Sequence, residues 1–329
     1  MKLKTLVIVM GLCALAACGD KGGKDDGTAA AGGNKSVNVY NWSDYIAEDT
    51  IPNFEKATGI KVTYDVFDSN EVLETKLVTG NTGYDVVVPS LTFLARQIQA
   101  GVFMPLDKTK IPNLANMDPE IQANIAKLDT DNAHSVNYLW GTTGIGYNVK
   151  KIKEILGDSA PTDSWALVLD PANLAKLKEC GVYFLDSPSE IIPPVLNYLG
   201  EEPNSLDPAV IAKAEARLKE LRPSITQFHS SEYINALANG DACVVMGYSG
   251  DILAAADAAS EAAEADGKPA PDIRYVIPKE GALRWVDVIA IPKDARHPGN
   301  ALAFIDYLLQ PAVTAAITDA VGYANPNSD

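Results

Sequence analysis

The chain is poor in the groups that do covalent chemistry. Only 3 of its 329 residues are histidine. His134, His229 and His297 are scattered, with no acid or serine motif beside them, and read as structural or surface residues. Ser43 and Ser90 lack the strand–turn–helix setting of a nucleophile elbow, so no hydrolase is read from them. There is no GxGxxG and no P-loop, and with them go the usual nucleotide fingerprints. The 4 cysteines form no CxxC and no Cys/His cluster, which leaves no metal site to expect. No cofactor is implied. Basic charge is also short, with 27 Lys and Arg against 43 Asp and Glu and a net charge of −16. Phosphate binding needs a basic footprint, so a nucleic-acid partner is not expected. An acidic surface suits a cationic ligand, or serves solubility alone. After the first residues no apolar run approaches the roughly 20 residues of a membrane-spanning helix.

What is present begins with a leader. Lys2 and Lys4 precede an apolar run from Leu6 to Ala17, which has the length of a secretory h-region. The run ends in Leu15-Ala16-Ala17-Cys18-Gly19, which resembles a bacterial lipobox. The expectation is a signal peptide over 1–17, lipidation at Cys18, and a periplasmic protein held to a membrane by that lipid. Asp20 to Ser36 is mostly Gly, Ala, Lys and Asp and cannot bury a core, so 18–36 is expected to be a flexible tether. Over the whole chain, 47% hydrophobic and 21% charged residues are ordinary globular composition. The length suits two domains or one large one. Cys13 leaves with the signal and Cys18 carries lipid. Cys180 and Cys243 remain, free to bridge in an oxidising compartment or to stay as two buried thiols.

Strands and helices then alternate. Val37–Tyr40 reads as a strand, Ile51–Thr58 as a helix stopped by Gly59, and Ile60–Phe67 as a second strand. Ser69 is placed to cap a helix whose apolar face would hold Val72, Leu73, Leu77 and Val78. Asp85–Val88 is a buried strand, and Leu91–Ala100 a helix. Gly144–Asn148 looks extended. Asp207-Pro208 opens a helix that ends before Pro223. Ala242–Met246 and Val286–Ile291 close the pattern as strands. The alternation predicts an α/β fold with a largely parallel sheet.

Polar and aromatic clusters follow the strands directly. Trp42, Ser43, Asp44 and Tyr45 come after the first, Ser90 after Asp85–Val88, and Tyr248 to Asp251 after Ala242–Met246. Ligands in open α/β sheets bind outside the carboxyl ends of strands. Carboxylates beside Trp and Tyr suit an organic ammonium, through charge-assisted hydrogen bonds and cation–π contact. A sugar site would not need so many acids.

At these residues the chain resembles the polyamine-binding proteins of bacterial ABC importers, closest to the putrescine-binding branch. The matching stretches are VNVYNWSDYIAEDTIPNFEKATGIKV, YDVVVPS, WGTTGIGYN, LKECGVYFLDSP, LNYLG, FHSSEYINALANGD, VIPKEGA and HPGNALAFIDYLL. The resemblance implies a two-lobe periplasmic-binding fold of type II, with a ligand cleft between the lobes and a hinge. It places one lobe at 37–142 and 276–310 and the other at 143–275 and 311–329. It implies a ligand site of Trp42, Ser43, Asp44, Tyr45, Ser90, Glu190, Tyr248, Asp251, Trp285, Asp287 and Tyr323. Asp251 and Asp287 would take one ammonium and Glu190 the other, with Trp42, Tyr248 and Trp285 around the alkyl chain. It also implies a disulfide between Cys180 and Cys243.

The chain departs from the family pattern in two ways. Tyr248 stands where the family commonly has Trp. The chain also stops at Asp329, where family members usually continue for some tens of residues. The implied function is capture of putrescine or spermidine by a monomeric, non-enzymatic lipoprotein and delivery to an inner-membrane ABC permease. Two other functions compete. One is a polyamine sensor without transport, and the other is an enzyme on the same two-lobe fold.

Overall fold

The structure is a computed structural model and describes residues 35–327. The expected signal peptide, lipidated Cys18 and nearly all of the expected tether lie outside the described residues, as does Asp329.

Nine strands form one sheet. They are β1 (Ser36–Trp42), β2 (Lys61–Phe67), β3 (Val86–Val87), β4 (Ser135–Asn148), β5 (Val182–Phe184), β6 (Gln227–Phe228), β7 (Val244–Tyr248), β8 (Ile273–Val276) and β9 (Leu283–Ala290). Their order is β2-β1-β3-β9-β4-β7-β5-β6, with β8 beside β4. At one end β1 pairs in parallel with β2 and β3; at the other β5 pairs in parallel with β6 and β7. Helices make these crossovers, as parallel pairs require. Between the two ends run β4 and β9, antiparallel to each other and to their neighbours. The sheet is therefore mixed, and the largely parallel sheet read from the sequence is corrected. The sequence pattern catches the βα units but not the long return strands that join them. β4 pairs through Ser135–Asn137 with the end of β9 and through Trp140–Thr143 with its start, and a register shift lies between. Such an irregularity bends the strand and raises its twist.

Local chemistry explains the helix ends. Gly59 closes helix Thr50–Thr58 at φ 71°, a conformation that costs glycine little. The Ser69 hydroxyl accepts from Val72 N at 3.3 Å and starts helix Asn70–Thr79. In that helix Leu73 and Leu77, four residues apart, face the core, while Val72 and Val78 are 50% and 65% exposed. The buried stripe is narrower than the sequence suggested. Asp207 caps helix Pro208–Leu221 by accepting from Ala209 N at 2.8 Å.

Cys180 and Cys243 form a disulfide, with Cα atoms 5.5 Å apart and a sequence separation of 63. It joins the chain entering β5 to the chain entering β7. Closing a loop of this length stabilises by about 4 kcal/mol in the chain-entropy picture. Two histidines do have acids beside them, contrary to the sequence reading. His134 Nδ1 lies 3.0 Å from buried Asp129, and His297 Nδ1 3.0 Å from buried Asp85. Asp85 also accepts from the backbone N–H groups of Asn38, Arg296 and His297, so its work is to tie strand to helix.

Candidate functional site

The carboxyl ends of the parallel strands converge. β1 ends at Trp42, and Ser43, Asp44 and Tyr45 continue into the next turn, where Asp44 takes the left-handed φ of 54°. β3 leads to Ser90, which forms an isolated bridge with Asp287 of β9. β5 leads to Ser187 and helix Pro188–Tyr198, with Glu190 in its first turn. β7 ends at Tyr248, and Asp251 sits in the first turn of helix Ser249–Ala265. Trp285 lies two residues before Asp287 on β9. Tyr323 follows helix Pro311–Val321, after Gly322 at φ 70°.

Together they line a cavity whose non-atom space, open solvent included, is about 410 Å³. Every site residue expected from the resemblance lines it, except Asp44. The Asp44 carboxylate instead accepts a hydrogen bond from Ser231 Oγ at 2.8 Å. Phe67, Asp68 and Ser230 also line the cavity and were not anticipated. The strand-end rule could have found Asp68, which directly follows β2. Ser230 lies inside the HSSEY stretch, where nothing marks one serine over the next.

Aromatic rings form most of the wall. Trp42 meets Tyr248 at 6.4 Å between centroids, Tyr248 meets Trp285 at 5.8 Å, and Trp285 meets Tyr323 at 5.2 Å, all edge to face. Tyr45 closes the ring against Tyr323 at 5.0 Å. Trp42 is fixed by its indole N–H, which donates to Val88 O at 2.9 Å. Two glycines make room. A Cβ on Gly141 of β4 would fall 2.7 Å from the Trp285 ring, and one on Gly250 would fall 2.6 Å from Tyr323. Gly250 lets Tyr323 reach its neighbour Asp251, which gives the aromatic-x-Gly-Asp pattern a steric reason.

Three carboxylates are buried among these rings. Asp251 accepts from Tyr323 Oη at 2.5 Å on one oxygen and from Tyr233 Oη at 2.6 Å on the other. Asp287 accepts from Ser90 Oγ at 2.6 Å, and Asn70 holds Ser90 through its own amide. Glu190 accepts from Thr143 Oγ1 at 2.6 Å. Among the described residues, no Lys, Arg or His lines the cavity. Burial therefore dominates, and each carboxyl is pushed up to about 7. Their hydroxyl donors pull the other way. Glu190 is raised further by the charges of Asp287 and Glu71, and Asp251 by that of Asp44.

Among the described residues, two polar atoms of the wall have no hydrogen-bond partner: Tyr248 Oη and Trp285 Nε1. Buried polar groups are nearly always paired, and an unpaired one costs about 1–3 kcal/mol. Acids without counter-charge, beside a tyrosine oxygen free to accept, suit something positive that donates hydrogen bonds. Among the described residues no group of three His, Cys, Asp or Glu is placed to hold a metal ion.

Comparison with known proteins agrees with this geometry. Residues 50–329 match the family model of the bacterial extracellular solute-binding proteins. The chain is 55% identical to the putrescine-binding periplasmic protein PotF of Escherichia coli over 302 residues, which cover 92% of this chain and 80% of the relative. It is 53% identical to the putrescine-binding periplasmic protein SpuD of Pseudomonas aeruginosa, over 92% of this chain and 81% of the relative. Among solved structures, the Treponema pallidum lipoprotein TpPotD superposes with a TM-score of 0.73 at 28% identity, covering 88% of this chain and 86% of that one. The spermidine/putrescine substrate-binding protein PotD of Streptococcus pneumoniae gives 0.63 at 32%, covering 89% and 83%. By the span of the family match and the identity of these relatives, this chain belongs to the bacterial extracellular solute-binding proteins.

Proposed function

We propose that the protein captures putrescine, or the longer spermidine, outside the inner membrane and hands it to an ABC permease. One observation carries the reading. Three buried carboxylates sit in an aromatic cavity that no basic residue lines among those described. An alkyl diammonium supplies what that cavity lacks, a cation for each acidic pole and methylenes for the rings between.

Asp287 and Glu190 face one ammonium, and Asp251 the other. Trp42, Tyr248 and Trp285 pack along the carbon chain. Ser43, Ser90, Tyr45 and Tyr323 orient the acids or accept the remaining ammonium protons. Each close pair gains about 4 kcal/mol of raw Coulomb energy at an effective dielectric near 20. Desolvation takes back much of it, so selectivity rests on ammonium spacing: an acid left without its partner stays buried and uncompensated. The cavity lies between two lobes, 37–142 with 276–310 and 143–275 with 311–329. Ligand that touches both favours the closed arrangement. Cys18 carries the lipid that keeps the monomer at the membrane, which mass spectrometry of the mature N-terminus would reveal.

Calorimetry on the mature protein tests the reading. Micromolar or tighter binding of putrescine or spermidine is expected. No heat with either amine, and binding of an amino acid or sugar instead, would sink it. Amine uptake by cells carrying the neighbouring permease separates delivery from sensing.

A further inference from the structure

Glu71 lies outside the cavity wall, yet it touches the machinery from behind. It occupies the first turn of helix Asn70–Thr79, which follows β2 at one end of the sheet. Its carboxylate reaches the start of helix Pro188–Tyr198, which follows β5 near the other end. Ser187 Oγ donates to it at 3.3 Å, and Ser189 N at 3.4 Å. Ser187 is the N-cap residue of that helix, and its side chain makes no capping bond within the helix. The first N–H groups of a helix have no partner within it, and a negative charge there is stabilising. Glu71 supplies the missing cap from the opposite end of the sheet. The helix it caps carries Glu190 one residue beyond Ser189.

A second contact of the same kind lies beside the mouth. Asp44, after β1, accepts from Ser231 Oγ at 2.8 Å, and Ser231 follows β6. These two carboxylate–serine contacts join residues 116 and 187 positions apart. Each joins residues that follow strands at opposite ends of the sheet.

We infer that Glu71 is a positioning residue for ligand capture: by capping the helix of Glu190 from across the cleft, it latches the closed state and sets where Glu190 stands. Asp44 with Ser231 is the companion latch. The inference builds on the amine-binding reading for its ligand, though the latch itself requires no particular ligand. Glu71 plays two opposed parts. Its hydrogen bonds hold the cleft shut, and its charge makes Glu190 harder to ionise.

Those two parts separate by mutation. Stopped-flow tryptophan fluorescence, with Trp42 and Trp285 in the wall as reporters, gives putrescine dissociation rates. Hydrogen bonds to charged groups are worth enough that E71Q is expected to release putrescine about tenfold faster at pH 8. Removing the negative charge also moves the midpoint of the binding–pH profile to lower pH. S187A removes the hydroxyl donor but keeps the charge, so it speeds release and leaves the midpoint in place. A purely structural role would not split the two readouts in this way. Small-angle scattering of the amine-free protein is independent of ligand identity; E71Q and S187A are each expected to raise the radius of gyration. Wild-type release rate and unchanged radius in both variants would overturn the latch while leaving polyamine capture intact. A wild type that binds no amine would overturn the capture reading, and the scattering comparison would still decide the latch. Should E71Q melt far below wild type, S187A alone carries both tests.

Discussion

Asp251 and Asp287 share one cavity and one elevated proton affinity, yet they are held differently. Both oxygens of Asp251 are taken by tyrosine hydroxyls, Tyr323 and Tyr233. Asp287 has one short side-chain hydrogen bond, from Ser90, with the Tyr45 hydroxyl acting on it more weakly, and Glu190 has one, from Thr143. The Asp251 pole is anchored by tyrosines that also build the wall; Tyr233 Oη additionally accepts from Tyr248 N at 3.0 Å. The Asp287–Glu190 pole rests chiefly on the short hydroxyl side chains of Ser90 and Thr143, each bonded to one oxygen of its acid. One pole is a fixed anchor, and the other is open to meet ammonium groups set at different distances. If that contrast is real, the two poles will respond differently to the same kind of damage.

The largest effect is expected from removing an open acid. Asp287→Ala takes away a desolvated charge whose partner is the ligand. Truncating one side of a buried pair costs about 2–5 kcal/mol, so putrescine affinity should fall by roughly 30-fold to several thousandfold. Calorimetry measures this, with a thermal melt to check that the fold survives. Unchanged affinity would mean that the ammonium lies elsewhere and that the two poles have been wrongly drawn.

The next comparison removes a donor while keeping the acid. Ser90→Ala strips Asp287 of its one short side-chain hydrogen bond, whereas Tyr323→Phe strips Asp251 of one of two. Each such bond is worth about 1.5–3 kcal/mol. Ser90→Ala should therefore cost the larger share of affinity, about tenfold or more, and Tyr323→Phe clearly less. Equal losses in a titration of both variants would erase the distinction between anchored and open poles.

A smaller and shared effect follows from pH. The three carboxyls are pushed up to about 7, well above the usual carboxylate range near 4. A raised carboxylate pKa means the folded state holds protons that the unfolded chain has released. Through these groups the amine-free protein is most favoured at low pH and loses stability as pH rises from about 4 to about 7. An ammonium ligand prefers the ionised acids, so binding releases protons and weakens as pH falls below 7. Melting curves between pH 5 and 8, with and without putrescine, should show a ligand-induced shift that shrinks on the acid side. A shift that stayed constant or grew would contradict buried, uncompensated acids.

How much of this could be read in advance differs along the chain. β1, β3 and β7 are short aliphatic runs with polar residues at their ends, so the strand-end rule found Trp42, Ser43, Tyr45, Ser90, Tyr248 and Asp251 from the residues alone. Glu190, Trp285, Asp287 and Tyr323 came only through the family resemblance. Nothing local marks them, since Asp287 becomes special by facing Ser90 across the sheet. β4 was read from Gly144 onward although it begins at Ser135. Gly141, Gly144 and Gly146 lower its strand propensity, and each stands where a Cβ would strike Trp285, Tyr275 or Ile252. In the stretch that was missed, Gly141 is such a residue, and it lets the Trp285 ring approach the strand. The contacts of Asp44 and Glu71 were out of reach for a similar reason, because both partners lie more than a hundred residues away.

The mildest test concerns the mouth. Asp68 lines the cavity but is exposed, and Ser43 Oγ donates to it at 2.6 Å. It differs from the buried acids in one physical respect, which is access to solvent and salt. A charge in that position steers an approaching cation more than it holds a bound one. Asp68→Asn should slow putrescine association by a factor of about two to three at low ionic strength and leave dissociation nearly unchanged. Raising the salt shortens the Debye length to about 3 Å at 1 M, so the difference should vanish there. Stopped-flow association rates at two salt concentrations decide it. A loss that persists in high salt and appears in the dissociation rate would move Asp68 from the approach to the grip, and would add a third pole to the two compared above.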